Sequence, residues 1–200
     1  MKKIFLFFCL ILIIGFGVWA GLRLTDQNQT QVASVQITDE PQISPVGETE
    51  ATLGIPNRIR ISELDLDVPI EQVGKDSQGR MDVPKDWNNT GWYMYGPKPG
   101  EIGNSAIAGH VDDPKGNPSV FAKLDTLETD DIIVITDQNG KNLEFKVVDV
   151  ETVELSKFPG DKVFGETDKK HLNLITCGGE WDKEKKEYTE RTIVYSELVD

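Results

Sequence analysis

The sequence predicts a mostly β domain, built as a closed or nearly closed antiparallel barrel or as a sandwich. Three observations carry that reading. Short apolar runs alternate with period two, turn-forming residues separate them at close intervals, and one stretch beyond the N-terminus has helical spacing. Residues 58–61 (RIRI) alternate strictly, and residues 68–70 (VPI) begin a second extended piece. Residues 105–108 (SAIA) form a small apolar strand that ends at Gly109. Residues 120–127 (VFAKLDTL) put Phe121, Leu124 and Leu127 on one helical face and are expected to form the domain's helix. Residues 131–136, 143–150, 172–176 and 189–195 read as strands, the first two joined by the hairpin signal Gln138-Asn139-Gly140.

The N-terminus is different in kind. Lys2 and Lys3 precede an uncharged run, residues 4–22 (IFLFFCLILIIGFGVWAGL), which Arg23 closes. As a helix rising about 1.5 Å per residue, that run spans roughly 28 Å, close to the thickness of a bilayer's hydrocarbon core. A cleaved signal peptide is the competing reading, with Val18-Trp19-Ala20 as a loose cleavage site. The full spanning length and Trp19 at one end favour a retained single-pass anchor. The paired lysines place residues 1–3 in the cytoplasm and everything after the anchor outside the cell membrane. Residues 23–54 follow as a linker. Most of it is rich in Gln, Thr, Glu and Pro, and residues 25–52 contain no aromatic residue, so it buries too little apolar surface to offset its ordering entropy. The functional domain is expected over residues 55–200.

The chain carries 21 Lys and Arg against 34 Asp and Glu, a net charge of −13, which argues against nucleic acid as a partner. Its two cysteines cannot pair, because Cys9 lies in the apolar run and Cys177 in the exported part. An exported protein with a lone thiol needs a reason for it: either a reactive sulfur or a buried small hydrophobe.

Chemistry with a single thiol requires an imidazole and a positive or hydrogen-bonding group beside it. The chain has two histidines. His171 lies six residues before Cys177 on one expected strand, which at about 3.3 Å per residue is roughly 20 Å away. His110 follows Gly109, where a strand hands over to a loop and functional side chains commonly sit; a surface loop histidine is the alternative. The last two expected strands would form a hairpin around a charged loop, residues 178–188, bringing Arg191 opposite the end of the strand that carries Cys177. There Arg191 either supports a thiolate and an oxyanion or pairs with Glu187 or Glu190 at the surface. Asp112 and Asp113 are candidates to orient His110, although loop aspartates are commonly just solvated. Trp87, Trp92 and Tyr93 can line a peptide groove, though aromatic residues of a small β domain more often belong to its core. No cofactor is expected, and two distant histidines with one thiol do not make a metal set.

Residues 173–177 (NLITC) resemble the TLxTC signature of sortases, with Cys177 at the nucleophile position and Asn173 in place of the first Thr. Ala108-Gly109-His110 resembles the segment bearing that family's histidine, and Arg191 falls where the family carries its arginine. Trp92-Tyr93, Pro99-Gly100-Glu101, Gly109-His110-Val111-Asp112, Val120-Phe121 and Thr176-Cys177-Gly178-Gly179 recur in the order of class F sortases, over roughly residues 55–198. The resemblance implies an eight-stranded barrel with one or two short helices. It also implies a cysteine transpeptidase acting through Cys177, His110 and Arg191, with Thr176 touching substrate. The implied partners are surface proteins with an LPxTG-like sorting signal and an amine of a peptidoglycan precursor, served by a monomer. Two other readings stand beside it: a tethered, non-catalytic β domain that binds a wall ligand, and an L,D-transpeptidase-like crosslinker. The latter family resembles SHGC around its nucleophile, and Ile175 stands where its His would be.

Overall fold

The computed structural model describes residues 52–199. Its eight strands are β1 (Pro56–Ile61), β2 (Leu66–Val73), β3 (Thr90–Tyr93), β4 (Gly103–Gly109), β5 (Ile132–Asp137), β6 (Asn142–Glu154), β7 (Lys170–Asp182) and β8 (Glu187–Leu198). They close into a barrel in the order β1-β2-β3-β4-β7-β8-β6-β5, with β5 pairing back onto β1. The fold is therefore the expected mostly β barrel of eight strands. It is not wholly antiparallel, however: β2 pairs with β3, and β4 with β7, in parallel. Parallel neighbours require long crossovers, and the stretch 74–89 that joins β2 to β3 becomes important at the site.

Period two decides which side chains enter the barrel. Ile59 and Ile61 of β1 are buried while Arg58 and Arg60 are exposed, and Ile133 and Ile135 of β5 repeat the pattern. With Ile107, Phe121, Phe145, Leu172, Leu174 and Val194 they form the inner core. A second cluster lies against the opposite face of the sheet, where Ala106, Ile175, Ile193 and Tyr195 pack with Val163. Val163 comes from the only α-helix among the described residues, α1 (Gly160–Phe164).

Residues 120–127 do not form the expected helix. Phe121, Leu124 and Leu127 are buried as their spacing requires, but the backbone bonds there span three residues, from Leu124 N to Phe121 O and from Leu127 N to Leu124 O. Only Leu124–Thr126 makes a 3-10 turn. A run this short is below the length at which an α-helix propagates, and the Ser119 hydroxyl, its possible cap, donates to the Trp87 carbonyl instead. The expected charged loop over residues 178–188 is also corrected: the strands continue through it to Asp182 and from Glu187. A cross-strand contact between Trp181 and Tyr188, rings edge-on at 5.2 Å, supports the extension.

The start of the described chain is fastened to the barrel. Gly54 N donates to Asp137 Oδ2 at 2.7 Å, Lys98 Nζ to Leu53 O at 2.9 Å and Asn139 Nδ2 to Thr52 O at 3.3 Å. No helix among the described residues is long and apolar enough to cross a membrane. The expected tip, anchor and linker as far as residue 51 lie outside the described residues.

Candidate active site

Cys177, His110 and Arg191 come from three adjacent strands. The β4–β7 ladder runs in parallel register as far as Ala108 opposite Ile175. The Thr176 hydroxyl then donates to Gly109 O at 2.8 Å, which carries the alignment one step further. His110 is the next residue, just past the end of β4, as Cys177 is the next on β7. On the other side of β7, Cys177 is the direct partner of Arg191 in β8. Alternation also puts all three on one face. Ala106, Ile175 and Ile193 belong to the outer cluster, and His110, Cys177 and Arg191 continue their rows outward by even steps.

Two glycines shape this mouth of the barrel. At Gly109 an added Cβ would collide with the Phe121 ring, so only glycine lets the strand end close against the core. Gly179 has φ 72°, and a Cβ there would clash with Thr189 and Glu190. It lies where the β7–β8 register shifts between Gly178 and Trp181, so the strand bulges immediately behind the sulfur.

The Cys177 thiol is free and half-buried. Burial pushes it above the ordinary thiol range; the Arg191 charge pulls it down, and the Asp112 charge pushes it up again. Arg191 Nη1 donates to two backbone carbonyls, Glu190 O at 2.7 Å and Tyr188 O at 3.0 Å. Among the described residues it pairs with no carboxylate, so its charge is not neutralised locally, unlike in the expected alternative pairing with Glu187 or Glu190. Asp112 does not orient His110. It accepts a hydrogen bond from Tyr188 OH at 2.5 Å, and that bond, with burial and the carboxylate's charge, pushes the phenol up to about 12. Asp113 accepts from Lys115 N and Asn117 N and so shapes its own turn. A cavity of about 280 Å³ opens at the site, lined by Cys177, Thr176, Asp112, Tyr188 and Glu190 among others.

His110 is held by a segment that sequence reasoning had not connected with it. Its Nε2 lies 2.9 Å from Pro84 O. A carbonyl has no proton to give, so Nε2 carries the hydrogen and Nδ1 is the nitrogen free to exchange one. The Trp87 ring packs on the imidazole with centroids 4.0 Å apart. Of the three aromatic candidates, Trp92 is core and Tyr93 packs against the outer cluster, whereas Trp87 belongs to the site. One signal pointed there: a tryptophan in the polar, aperiodic stretch 85–89 has no core to enter, so its ring has to cover something else.

His171 stays on the same strand as Cys177, six positions away, bonded to Asn104 Oδ1 at 3.1 Å and 3.4 Å from Glu197. Asn173 is buried and donates to Asn104 Oδ1 and Val163 O. Its departure from the resembled signature thus serves packing between β7, β4 and α1. Thr176 is buried with its hydroxyl donating to Gly109 O, and the residue lines the cavity. Among the described residues no three His, Cys, Asp or Glu side chains gather as a metal site.

Comparison with known proteins agrees with this architecture. A family model described as "Sortase domain" matches residues 59–199. Among solved structures, a lid mutant of sortase A from Corynebacterium diphtheriae is similar at 22% identity and TM-score 0.56, over 76% of this chain and 74% of that one. Sortase C-1 from Actinomyces oris is similar at 21% identity and TM-score 0.55, over 72% and 71%. A sortase D5 transpeptidase from Clostridium perfringens is similar at 24% identity and TM-score 0.54, over 74% and 79%. At these identities the likeness to individual structures speaks for the fold. No protein of curated function matches the sequence.

Proposed function

The chain belongs to the sortase family, and on that premise we propose that it is a membrane-anchored cysteine transpeptidase, nearest to class F, working outside the cell. The observation that carries the reading is the placement of Cys177 between Arg191, its partner on β8, and the end of β4 where His110 stands. An LPxTG-like sorting signal would bind along the outer face. The Cys177 proton passes to Nδ1 of His110, and the sulfur attacks the Thr carbonyl of the Thr–Gly bond. Arg191 donates to the oxyanion as the C–S bond forms. On collapse the C–N bond breaks, and the His110 imidazolium returns its proton to the departing glycine amine. The thioester is then resolved by an amine of a peptidoglycan precursor, whose proton His110 accepts. Thr176, which lines the cavity beside Cys177, is the candidate substrate contact, although its hydroxyl proton is engaged by Gly109 O. No cofactor enters these steps, and a single copy of the chain suffices for them.

Burial works to raise the Cys177 thiol and the Arg191 charge to lower it, so in this reading the thiol proton is routed to His110 as the sulfur attacks. Mass spectrometry with a library of LPxTG-like peptides tests the reading. The expected products are a thioester on Cys177 and a released fragment beginning with glycine. Cys177→Ala and His110→Ala should abolish both, Arg191→Ala should lose roughly a hundredfold, and His171→Ala should stay active. Cleavage by Cys177→Ala at the parent rate would end the proposal.

A further inference from the structure

Glu71 lies on β2, away from the three candidate catalytic residues in sequence, yet the structure ties it to one of them. Three donors of the following crossover converge on its carboxylate. Lys85 N donates to Oε2 at 3.0 Å, Asn89 Nδ2 to Oε1 at 3.0 Å and Asp86 N to Oε1 at 3.2 Å. Burial works to raise this carboxyl, but the three donors and the Lys85 charge outweigh it and hold it below the usual range. A carboxylate suits the task because it accepts at two oxygens and brings no proton of its own.

The segment so fastened is the one that grips His110. Pro84, immediately before Lys85, supplies the carbonyl that accepts from Nε2–H, and Trp87, between the Glu71-bound residues, supplies the ring stacked on the imidazole. The Trp87 carbonyl in turn accepts from the Ser119 hydroxyl, on the chain leaving His110. Trp87 is 39% exposed, so its ring covers the histidine and not the core. We propose that Glu71 is a positioning residue: by holding residues 84–89 against β2, it keeps the Pro84 carbonyl and the Trp87 ring on His110. The imidazole is thereby fixed with Nε2 protonated and Nδ1 left as the nitrogen that moves protons. The proposal rests on His110 being the acid and base of the proposed reaction.

The test uses the full chain in detergent, labelled with ¹⁵N-histidine and assigned against His171→Gln. In the parent, His110 should show a slowly exchanging Nε2–H proton and an unprotonated Nδ1. Glu71→Ala should lose that slow exchange and lower kcat about tenfold, with KM within about twofold, a fraction of what a general acid–base group contributes. Glu71→Gln, which keeps one acceptor oxygen, should fall between them. Trp87→Ala, whose exposed ring can be removed without opening the core, should move both readouts in the same direction. A residue that only supported the fold would lower Tm and leave the folded fraction with the parent's imidazole spectrum. That result, or a loss carried by KM alone, overturns the proposal. A parent chain that cleaves no sorting peptide would overturn the function proposed above, while the imidazole spectra would still decide the role of Glu71.

Discussion

At the scale of single residues, Cys177 is set between opposing charges. Arg191 faces it across the β7–β8 ladder and favours the thiolate, while Asp112, held by Tyr188, disfavours it, and burial acts on the side of the thiol. The directions are testable without substrate. In the parent, the rate of alkylation by iodoacetamide should rise with pH through a midpoint above the ordinary thiol range. Arg191→Ala removes the favouring charge and should move that midpoint up. Asp112→Asn removes the opposing charge and should move it down. Shifts in the same direction would mean that changes in burial, and not these charges, control the sulfur. Much of this site was legible in the sequence, because a lone exported thiol, a histidine after a strand-ending glycine and an arginine in the last strand constrain one another. Trp87, Pro84 and Glu71 were not legible as a unit. Their connection depends on where an aperiodic crossover lies, and no period or spacing encodes that.

At the scale of elements, alternation named the strands well and their ends poorly. Residues 58–61 lie within β1, and Gln138-Asn139-Gly140 does join β5 to β6, with φ 79° at Gly140 as the turn requires. The hairpin after Cys177 read as a loop because its charged residues hide the pairing, which rests on the cross-strand contact of Trp181 with Tyr188. Asp137 breaks the alternation of β5, being buried where an apolar residue is expected. Its carboxylate explains this by accepting from Gly54 N at 2.7 Å, Asn139 N at 2.8 Å and Lys141 N at 2.9 Å. Burial works to raise this carboxyl, and the three amide donors hold it below the usual range. A depressed carboxyl contributes stability that is present above the unfolded value, about pH 4, and is lost as pH falls through the folded one. Asp137→Ala should therefore lower unfolding stability at pH 7 by about 2 kcal/mol or more. Urea midpoints at pH 7 and pH 3 should differ less for the variant than for the parent. An equal pH dependence in the two would show that Asp137 is not the group being titrated.

At the scale of the whole molecule, the barrel joins strands far apart in the chain, with β1 closed by β5 and β4 lying beside β7. The candidate site is consequently complete only when the whole domain is. The point at which the domain begins then matters. Residues 52–54 bond to Asn139, Lys98 and Asp137, so a chain cut before Thr52 should be soluble and keep the parent's peptide cleavage. A cut after Gly54 removes all three bonds and should lower Tm by several degrees, read by thermal melting. The proposed topology has a sharper consequence, because the chain holds only two thiols and Cys9 lies in the apolar run 4–22. In intact cells of a Gram-positive host making the full chain, a membrane-impermeant maleimide should reach Cys177 and not Cys9. Labelling should therefore occur without lysis and vanish in Cys177→Ala, while the protein sediments with membranes. Shaving intact cells with protease should release a labelled fragment of about the size of the barrel domain, if residues 23–51 act as the linker that their composition predicts. Labelling that appears only after lysis would place the domain on the cytoplasmic side. The proposed access to wall precursors would then fail, however well the site is built.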